Sequence, residues 1–416
     1  MNLQPARGTR DIYGAELTAF KQVENTVRDF AKRYGFGEIQ TPIFEATEVF
    51  CRGVGETSDI VSKEMYTFSD RGGESFTLRP EGTAGVVRAF VSEGMAQNLP
   101  VKLFYAGPMF RYERPQKGRY RQLHQAGVEI LGAATPQTDV EVLCLAWDVL
   151  CALGLGGNVR LELNTLGDAE SRAAYRDALV AYFSQYREQL SEDSRVRLEK
   201  NPLRILDSKD EGDKKLIENA PEMTAYLNEP SKAFFDDVKA GLDALGIPYV
   251  VNPRLVRGLD YYRHTVFEFV TESLGAQGTV LAGGRYDGLV RQMGGPETAG
   301  IGFGAGIDRL ALLITELGKV DSEPRPIAVV PAGEDAVLPS MKAAHVLRQN
   351  GFIVDEAYTG NMAKRLKKAN KINACAAVIM GGDEIAKGVA TVRNLDSGEQ
   401  KEVPLTDLPA ALESFR

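Results

Sequence analysis

The sequence predicts an α+β fold, in which an antiparallel sheet forms the core, a mainly helical insertion interrupts it and a separate α/β domain follows. Three observations support this prediction. Strand-like segments recur over much of residues 1–322 without regular strand–helix alternation. From about residue 167 to 247, charged and apolar residues instead alternate at helical period. Residues 326–416 alternate strand and helix, which is typical of an α/β domain.

Composition is that of an ordinary globular protein. Of 416 residues, 44% are hydrophobic and 25% are charged, which excludes disordered and fibrous classes. The formal net charge of −8 argues against non-specific coating of nucleic acid, although salt screening still permits a local basic site. The N-terminus has no apolar signal-peptide region, and no run of about 18 apolar residues occurs. We therefore expect a soluble cytoplasmic protein with no membrane partner.

Several common functional motifs are absent from the sequence. The four cysteines form no C-x-x-C pair, so we expect free thiols in a reducing compartment. The three histidines lie far apart, which argues against a structural zinc site. No P-loop occurs, and the glycines of GIGFGAGIDR do not have the Rossmann spacing.

The N-terminal half predicts a helix, a strand and a long hairpin. Apolar residues recur at helical spacing from Phe20 to Ala31, Gly35 ends the helix, and a strand follows around residues 38–41. Residues 101–110 and 122–132 predict two strands joined by a loop. The loop, in the stretch FRYERPQKGRYRQLHQ, carries five cations against the single carboxylate of Glu113, which predicts contact with a polyanion. The five cations are Arg111, Arg114, Lys117, Arg119 and Arg121.

Strand patterns return after the insertion. They occupy residues 265–270, 278–284 and 299–307, and a polar, proline-containing linker at 317–333 then separates the C-terminal domain. Within the third strand, glycines alternate from Gly300 to Gly306 and remove the side chains from one face. Either close packing or a flat, adenine-like ligand would explain that bare face. Arg309 at the next helix start favours a bound anion such as phosphate.

The second hairpin strand has a polar face. Gln125, Gly127 and Glu129 point to one side of this strand, whereas the opposite side is mostly apolar. The polar face is either solvated or the floor of a pocket for an N–H-bearing ligand, with Gly127 leaving room for it. Glu81 and Thr83 at a helix start are either ordinary capping residues or a site for a ligand ammonium group.

Two further segments concentrate arginines and phenols. LVRGLDYYRHTVFEF contains Arg257, Asp260, Tyr261 and Tyr262, and LAGGRYDGL contains Arg285, Tyr286 and Asp287. Each is either a structural turn or part of a site. Together they supply arginines for phosphate charge and phenols for directional hydrogen bonds.

The full chain resembles the bacterial histidyl-tRNA synthetases, a family of class II aminoacyl-tRNA synthetases. The basic hairpin looks like class II motif 2 and GIGFGAGIDRL like motif 3, while RGLDYY with GGRYDGL resembles the histidine-specific signature. Another class II specificity would share motifs 2 and 3 but would not explain that signature. The segments that carry the resemblance are TLRPEGTAG, GPMFRYERPQKGRYRQLHQAGVEILG, LVRGLDYYRHTVFEF, AGGRYDGL and GIGFGAGIDRL.

The resemblance implies that the histidine carboxylate attacks the α-phosphate of ATP and that the histidyl group then passes to tRNA(His). Arg111 and Arg257 would stabilise charge on the α-phosphate, and Arg309 would hold the γ-phosphate. Glu113 would also contact ATP, and Mg²⁺ would bridge the outer phosphates. No protein ligand for the metal is assigned.

The resemblance also assigns the amino-acid pocket and the tRNA contacts. The α-amino group of histidine would be bound by Glu81, Thr83 and Gln125, and its imidazole by Glu129 and Tyr262, with Tyr261 and Tyr286 shaping the pocket. The acceptor end of tRNA would meet Arg114, Gln116, Lys117 and Arg119, of which Gln116 and Arg119 would read an extra guanosine.

The same resemblance implies a homodimer and an anticodon-binding C-terminal domain. The dimer would form through motif 1, here the helix ending near Tyr34 and the strand EIQTPIF. A run of cations in MAKRLKKANK suits an RNA partner, although such a run is commonly a solvated helix face. Two alternatives remain: the non-catalytic, histidine-sensing regulatory subunit of ATP phosphoribosyltransferase, and a tRNA-binding sensor. The regulatory subunit typically lacks the C-terminal domain and the full arginine set.

Overall fold

The chain divides into two compact units, Met1–Asp321 and Ser322–Arg416. The boundary predicted from the sequence, between domains 1–322 and 326–416, lies within a few residues of this division. In the computed structural model, the described residues are 3–55, 58, 60–258, 261–275 and 278–416. Asp260, singled out from the sequence, lies outside them.

The strands and helices are numbered in chain order. The strands are β1 (Gly37–Glu38), β2 (Phe44–Ala46), β3 (Tyr66–Ser69), β4 (Ser75–Leu78), β5 (Val101–Phe110), β6 (Gln122–Leu131), β7 (Arg160–Thr165), β8 (Tyr249–Val251), β9 (Arg263–Val270), β10 (Thr279–Arg285), β11 (Gly300–Gly306), β12 (Ile327–Pro331), β13 (Val354–Glu356), β14 (Ala376–Met380), β15 (Val389–Asn394) and β16 (Gln400–Pro404). The helices are α1 (Ala15–Arg33), α2 (Thr47–Val54), α3 (Thr83–Ser92), α4 (Pro136–Ala152), α5 (Ala169–Ser184), α6 (Glu192–Lys200), α7 (Glu211–Ile217), α8 (Glu229–Ala244), α9 (Leu289–Gln292), α10 (Ile307–Glu316), α11 (Val337–Gln349), α12 (Met362–Lys371), α13 (Gly382–Lys387) and α14 (Leu408–Ala411).

The first unit is built on an eight-stranded sheet in the order β1-β5-β6-β11-β10-β9-β7-β8. Its six central strands pair antiparallel with one another, and the short edge strands β1 and β8 pair parallel with β5 and β7. The predicted α+β class is therefore confirmed. The predicted hairpin is β5–β6, whose last pair, Phe110 with Gln122, opens into the basic loop.

Helices α1, α4 and α10 cover one face of this sheet. Phe20, Val23 and Val27 on α1 are buried with apolar residues of α4, α10 and the sheet, because their helical spacing places them on one side of α1. On β6, Ala126 and Val128 belong to the same core. The opposite face of the sheet is left to the polar residues of β6, as the alternation predicted.

The helical segment between β7 and β8 divides into two parts. Its last helix, α8, lies within the stretch predicted as an insertion, yet Phe235, Val238 and Leu242 belong to the core under the sheet. This helix packs on α4 and leads into β8, so it forms part of the sheet domain. Helices α5 to α7 instead share a second core with Tyr261, Tyr262 and other residues near the polar face.

Two local features differ from the prediction for the N-terminal half. The strand expected around residues 38–41 is limited to β1. Pairing with β5 does not continue beyond the hydrogen bond from Ile39 N–H to the Phe104 carbonyl. A separate three-stranded sheet, β2-β4-β3, was not predicted at all. Its strands are three or four residues long, too short for alternation to identify them.

The second unit is an α/β domain with a five-stranded sheet in the order β13-β12-β14-β15-β16. The first three strands are parallel and the last two antiparallel. Its strands β12 and β14 are fully buried, as expected for parallel strands covered by helices on both faces. Among the residues that the structure describes, no helix combines the length and apolar character needed to span a membrane.

Candidate active site

Glu129 is the centre of a buried polar network on the face of the sheet opposite α1, α4 and α10. It lies on β6 and is 1% exposed. Thr83 Oγ1 donates to one carboxylate oxygen at 2.7 Å, and the Tyr286 hydroxyl donates to the other. Burial raises the pKa of Glu129 to about 8, although these hydrogen bonds oppose the rise. A buried acceptor with two hydroxyl donors is arranged here before any ligand binds.

Glu81 caps the start of α3. Its carboxylate accepts hydrogen bonds of 2.7 Å from the backbone N–H groups of both Thr83 and Ala84. These are orphan donors of the first helical turn, so the capping interpretation of Glu81 holds in this structure. Burial raises the pKa of Glu81, and Arg111 contributes in the opposite direction. Capping fixes this carboxylate close to Thr83 and therefore to Glu129.

Tyr105, which the sequence did not single out, completes the network. It lies on β5 and is buried, and its hydroxyl interacts with the side chains of Thr83 and Glu129. A Cβ atom on either Gly82 or Gly127 would collide with its ring. The room that Gly127 was expected to leave for a ligand is therefore filled by Tyr105.

Three tyrosines from two segments close over the same network. The rings of Tyr261 and Tyr262 have centroids 4.6 Å apart, and Tyr261 lies 5.6 Å from Tyr286, edge to face. All three are buried. Burial, and secondarily the nearby Glu129, raises the pKa of Tyr286 well above its usual value, so this phenol is a donor at neutral pH.

Arg285 is not available to a ligand phosphate. Its side chain is 0% exposed and is paired with Asp139, which is also 0% exposed. It also donates to Asp287 at 3.0 Å and to the Ala133 carbonyl at 3.2 Å. The expectation that Arg285 supplies phosphate charge is corrected: this buried ion pair fixes the turn that presents Tyr286.

A cavity of about 300 Å³ adjoins this network on the same face of the sheet. It is lined by backbone and apolar groups of β10 and by the bare part of β11. Most of the charged residues predicted to bind ATP lie on its wall, together with Gln125. The predicted residues on this wall are Arg111, Glu113, Arg119, Gln125, Arg257 and Arg309.

The three arginines assigned to the ATP phosphates are each fixed by a partner from another segment. Arg257 pairs with Glu268 on β9, and Glu268 also accepts a hydrogen bond of 2.7 Å from Thr279 Oγ1. Arg309 donates to the Thr279 carbonyl at 2.6 Å, and Arg111 donates to the Pro80 carbonyl at 2.8 Å. These contacts direct the guanidinium groups before a ligand arrives. Glu268, like Tyr105, was not singled out from the sequence.

The basic loop divides into an inner and an outer part. Arg119 pairs with the buried Glu113 and faces the cavity. The pKa of Arg309 is lowered mainly by burial and, to a smaller extent, by the nearby charge of Arg119. Arg114, Gln116 and Lys117 are exposed at the outer end of the loop. The outer part is held down by an ion pair between Lys117 and Glu316 on α10.

Close packing and a ligand surface, the two explanations offered for the bare face of β11, apply to different halves of this strand. A Cβ on Gly300 would collide with Tyr286, and a Cβ on Gly302 would collide with Glu129, so this half is closely packed. Gly304 and Gly306 instead line the cavity. Close packing thus explains the first pair, and an open, flat surface suited to a planar ligand is formed by the second.

A larger cavity, of about 830 Å³, continues from this site toward α6 and α7. It shares Arg111, Arg257 and Glu268 with the smaller cavity. Its other wall comes from the helical segment and includes Arg197 and Lys209. Arg111 and Arg257 therefore lie where the smaller cavity meets the larger one.

No group of three or more His, Cys, Asp or Glu side chains is arranged to hold a metal ion in the described ranges. Carboxylates that line the smaller cavity are Glu113, Glu268 and Asp308. Each is paired with an arginine: Glu113 with Arg119, Glu268 with Arg257 and Asp308 with Arg10. A metal ion in this cavity would need ligands from a bound substrate in addition to these side chains.

Comparison with known proteins identifies the family. The histidyl-tRNA synthetase family model matches residues 8–310, and an anticodon-binding-domain model matches residues 326–415. A histidine–tRNA ligase of Rhodospirillum rubrum is 60% identical over 99% of both chains. One from Gluconacetobacter diazotrophicus is 57% identical over 97% of both chains.

Solved structures agree with this result. An apo histidyl-tRNA synthetase of S. aureus is 37% identical, with a TM-score of 0.83 over 100% of both chains. A Bacillus halodurans protein described as an ATP phosphoribosyltransferase regulatory subunit/histidyl-tRNA synthetase is 22% identical, with a TM-score of 0.67 over 92% of this chain and 99% of that one, and shares the fold. The resemblance noted in the sequence motifs is thus confirmed over the whole chain, which belongs to the histidyl-tRNA synthetase family of class II aminoacyl-tRNA synthetases.

Proposed function

We propose that this chain activates L-histidine with ATP to give histidyl-adenylate and pyrophosphate, and then transfers the histidyl group to the 3′ end of tRNA(His). One observation carries the proposal. A buried hydrogen-bonded network around the carboxylate of Glu129 adjoins a cavity lined by Arg111, Arg257 and Arg309, on one face of one sheet. The first suits imidazole and the second suits a triphosphate.

Histidine would be selected by the network around Glu129. An imidazole presents polar nitrogens on two edges, and Glu129 with the Tyr262 phenol would satisfy both. Tyr261 and Tyr286 would shape the pocket, and the α-amino group would contact Glu81, Thr83 and Gln125. An amino acid without those nitrogens would leave a buried carboxylate and a phenol unpaired, which costs several kcal/mol and supports discrimination of about 10⁴-fold.

ATP would bind with its adenine against Gly304 and Gly306 and its phosphates among the arginines. The histidine carboxylate attacks the α-phosphorus, a new P–O bond forms, and the bond to the β-phosphate oxygen breaks to release pyrophosphate. Arg111 and Arg257 would stabilise the charge that develops on the α-phosphoryl oxygens, and Arg309 would hold the γ-phosphate. Because partners already fix these arginines, little reorganisation is needed in the transition state.

The cavity also fits a magnesium ion that arrives with ATP. Mg²⁺ is commonly held by one or two carboxylates together with substrate phosphates, and Glu113 and Glu268 line this cavity. When bound, the ion would neutralise charge on the outer phosphates. Glu113 meanwhile holds Arg119, and Glu268 holds Arg257, at the cavity wall.

The tRNA would approach through the basic loop. Arg114, Gln116, Lys117 and Arg119 would meet the acceptor end, with Gln116 and Arg119 reading an extra guanosine, and the larger cavity leaves room beside them. The second unit would bind the anticodon, with the basic face of α12 as a candidate surface. We also propose that the protein is cytoplasmic and a homodimer, formed through α1 and the segment that follows it.

A non-catalytic histidine sensor is the main alternative. The regulatory relative was expected to lack an intact arginine set and the anticodon-binding domain. Here Arg111, Arg257 and Arg309 line one cavity, and residues 326–415 match the anticodon-binding model. These two features favour the enzyme over the histidine sensor, and the arginine set also favours it over a tRNA-binding sensor without activation chemistry.

The test is amino-acid-dependent exchange of pyrophosphate into ATP, with dialysed protein, Mg²⁺ and each of the twenty amino acids in turn, in the absence of tRNA. We expect exchange with histidine alone. A folded protein that gives no exchange with any amino acid would refute the activation chemistry and favour a sensor. Exchange with a different amino acid would refute the assigned specificity.

A further inference from the structure

A short N-terminal segment, residues 6–10, crosses the returning limb of the basic loop; we call it the N-terminal strap. A turn closed by Thr9 N–H on the Ala6 carbonyl, at 2.9 Å, shapes the strap. Its Gly8 carbonyl accepts a hydrogen bond of 2.8 Å from Arg121 N–H. Arg121 in turn uses its own carbonyl to accept from Arg111 N–H at 2.9 Å. The strap therefore adds a hydrogen-bonded layer at the base of the loop.

Gly8 permits this close approach. Its φ of +84° lies in the left-handed region, and a Cβ there would lie 2.7 Å from Arg121 Cγ and 3.1 Å from Pro115 Cγ. A side chain at Gly8 would be strained and would displace the loop. The fit of the strap against the loop is consequently specific to glycine at this position.

Arg10 joins the strap to two parts of the ATP cavity. Its guanidinium carbon lies 3.9 Å from the centroid of the Tyr120 ring, which is a cation–π distance. Its Nη2 atom donates to Asp308 Oδ1 at 2.7 Å. The other oxygen of Asp308 accepts from the backbone N–H of His124 at 2.7 Å. One arginine thus connects the basic loop, the start of α10 and strand β6.

These contacts matter because each partner of Arg10 is next in sequence to an arginine of the cavity wall. Tyr120 follows Arg119 in the loop, and Asp308 precedes Arg309 on α10. All four residues line the cavity.

Arg119 and Arg309 carry like charges on one cavity wall, and the charge of Arg119 contributes to lowering the pKa of Arg309, after burial. Their repulsion opposes the contacts that hold the loop on α10, which are the Lys117–Glu316 ion pair and the hydrogen bond from Arg309 to the Gly118 carbonyl.

We propose that Arg10 is a positioning residue for the ATP-dependent step. By stacking on Tyr120 and pairing with Asp308, it fixes the distance between Arg119 and Arg309 against their repulsion. The strap thereby holds Arg309 in place for the γ-phosphate and Arg119 at the cavity wall beside it, although the strap need not contact ATP itself. The inference rests on the proposed adenylate chemistry at this site.

The experiment measures steady-state pyrophosphate exchange by the full-length Arg10→Ala variant. A displacement of catalytic groups by about 1 Å costs about 10²-fold in rate. We therefore expect kcat to fall by about 10- to 10²-fold and the KM for ATP to rise several-fold, with the KM for histidine almost unchanged. Arg7→Ala is the matched control, because Arg7 is an exposed cation of the same strap whose side chain shows no bond or ion pair; it should behave as wild type.

Two further variants separate positioning from general loss of structure. Arg10→Lys keeps a cation for Asp308 but loses the planar stack on Tyr120, so it should recover part of the lost kcat. If Arg10 acts through Tyr120, the double variant Arg10→Ala/Tyr120→Leu should cost little more than the larger single effect. Full additivity of the two changes would contradict the assigned route.

Wild-type kinetics in Arg10→Ala would overturn the proposal. So would a parallel rise in the KM for both substrates with a lowered melting temperature, because that pattern indicates a structural role. Failure of the proposed function itself is distinguishable, since it would remove histidine-dependent exchange from the wild-type protein.

Discussion

The network proposed to bind histidine and the cavity proposed to bind ATP share one face of one sheet, but they are stabilised in different ways. The network around Glu129 is buried and consists mainly of phenols and a hydroxyl directed at a carboxylate. The cavity beside it is open and contains arginines paired with carboxylates and carbonyls. Gln125 on β6 lies at the boundary between the two, and Arg257 is close to both.

This difference follows from what each region must recognise. A buried pocket discriminates because an unpaired polar group inside it is costly, so its donors and acceptors must already match one ligand. A triphosphate is highly charged and mobile, and an open site with fixed cations attracts it without enclosing it. Changes in the pocket should therefore affect the use of histidine, and changes in the cavity the use of ATP.

The largest expected effect comes from Arg257→Ala. This arginine is near both regions and is assigned to the developing charge on the α-phosphate. Loss of one such group costs about 10²- to 10³-fold in kcat, so we expect pyrophosphate exchange to fall to near background. Binding of tRNA, measured by filter retention, should stay nearly the same.

Arg160→Ala is a suitable control for this variant, since Arg160 is an exposed arginine of the same sheet that also pairs with a glutamate, Glu162. It should retain full exchange activity. Normal activation by Arg257→Ala would refute the role assigned to Arg257. A parallel loss of tRNA affinity would show that the variant disturbs more than the activation step.

Glu129→Gln should separate the two regions. Glu129 is the proposed acceptor for the imidazole N–H, and disturbing a buried hydrogen-bond partner costs about 1–3 kcal/mol, so the KM for histidine should rise by about 10- to 10²-fold. The KM for ATP should change little. Glu268→Gln, on the same face but in the open cavity, should show the reverse pattern. Equal losses for both substrates in Glu129→Gln would contradict the pocket assignment.

The raised pKa of Glu129, about 8, predicts a pH dependence of stability. Between its ordinary pKa near 4.5 and that value, the folded protein holds a proton that the unfolded chain has released. Its contribution to stability is therefore complete below about pH 4.5 and declines up to about pH 8, by at most about 1.4 kcal/mol per pH unit. Urea unfolding of the full chain should show this decline, and Glu129→Gln should reduce the slope. An identical slope in both proteins would mean that Glu129 is ionised throughout the range.

Tyr105→Phe should have the smallest of these effects. It removes a hydroxyl beside Glu129 and Thr83 but keeps the ring that fills the space above Gly82 and Gly127. One neutral hydrogen bond contributes about 0.5–1.5 kcal/mol, so the KM for histidine should rise by about 2- to 10-fold. Tyr112→Phe, an exposed tyrosine of the loop, is the control. No change in Tyr105→Phe would show that the ring alone matters.

The sequence was informative where local pattern and structure agree. The alternation in residues 122–131 placed Glu129 on the polar face and Val128 in the core, and both are found there. The interruption by a charged loop identified the β5–β6 hairpin. Periodicity also predicted α1, because its apolar stripe packs against a single neighbouring layer.

Residues whose role depends on distant segments were missed or misinterpreted. Tyr105 lies in an ordinary apolar strand, and its role arises from a glycine just before α3, Gly82, and one on β6, Gly127. Arg285 resembles a phosphate ligand until Asp139, 146 residues away, is placed beside it. Glu268 sits in the regular strand TVFEFV and gains its meaning only from Arg257. Tertiary pairing of this kind has no signal in local sequence.

A crystal structure with histidine and an ATP analogue that cannot release pyrophosphate would test the division of this site most directly. The account predicts that the imidazole lies within hydrogen-bonding distance of Glu129, and that the triphosphate lies between Arg257 and Arg309. An imidazole bound outside the Glu129 network, or phosphates away from these arginines, would contradict it.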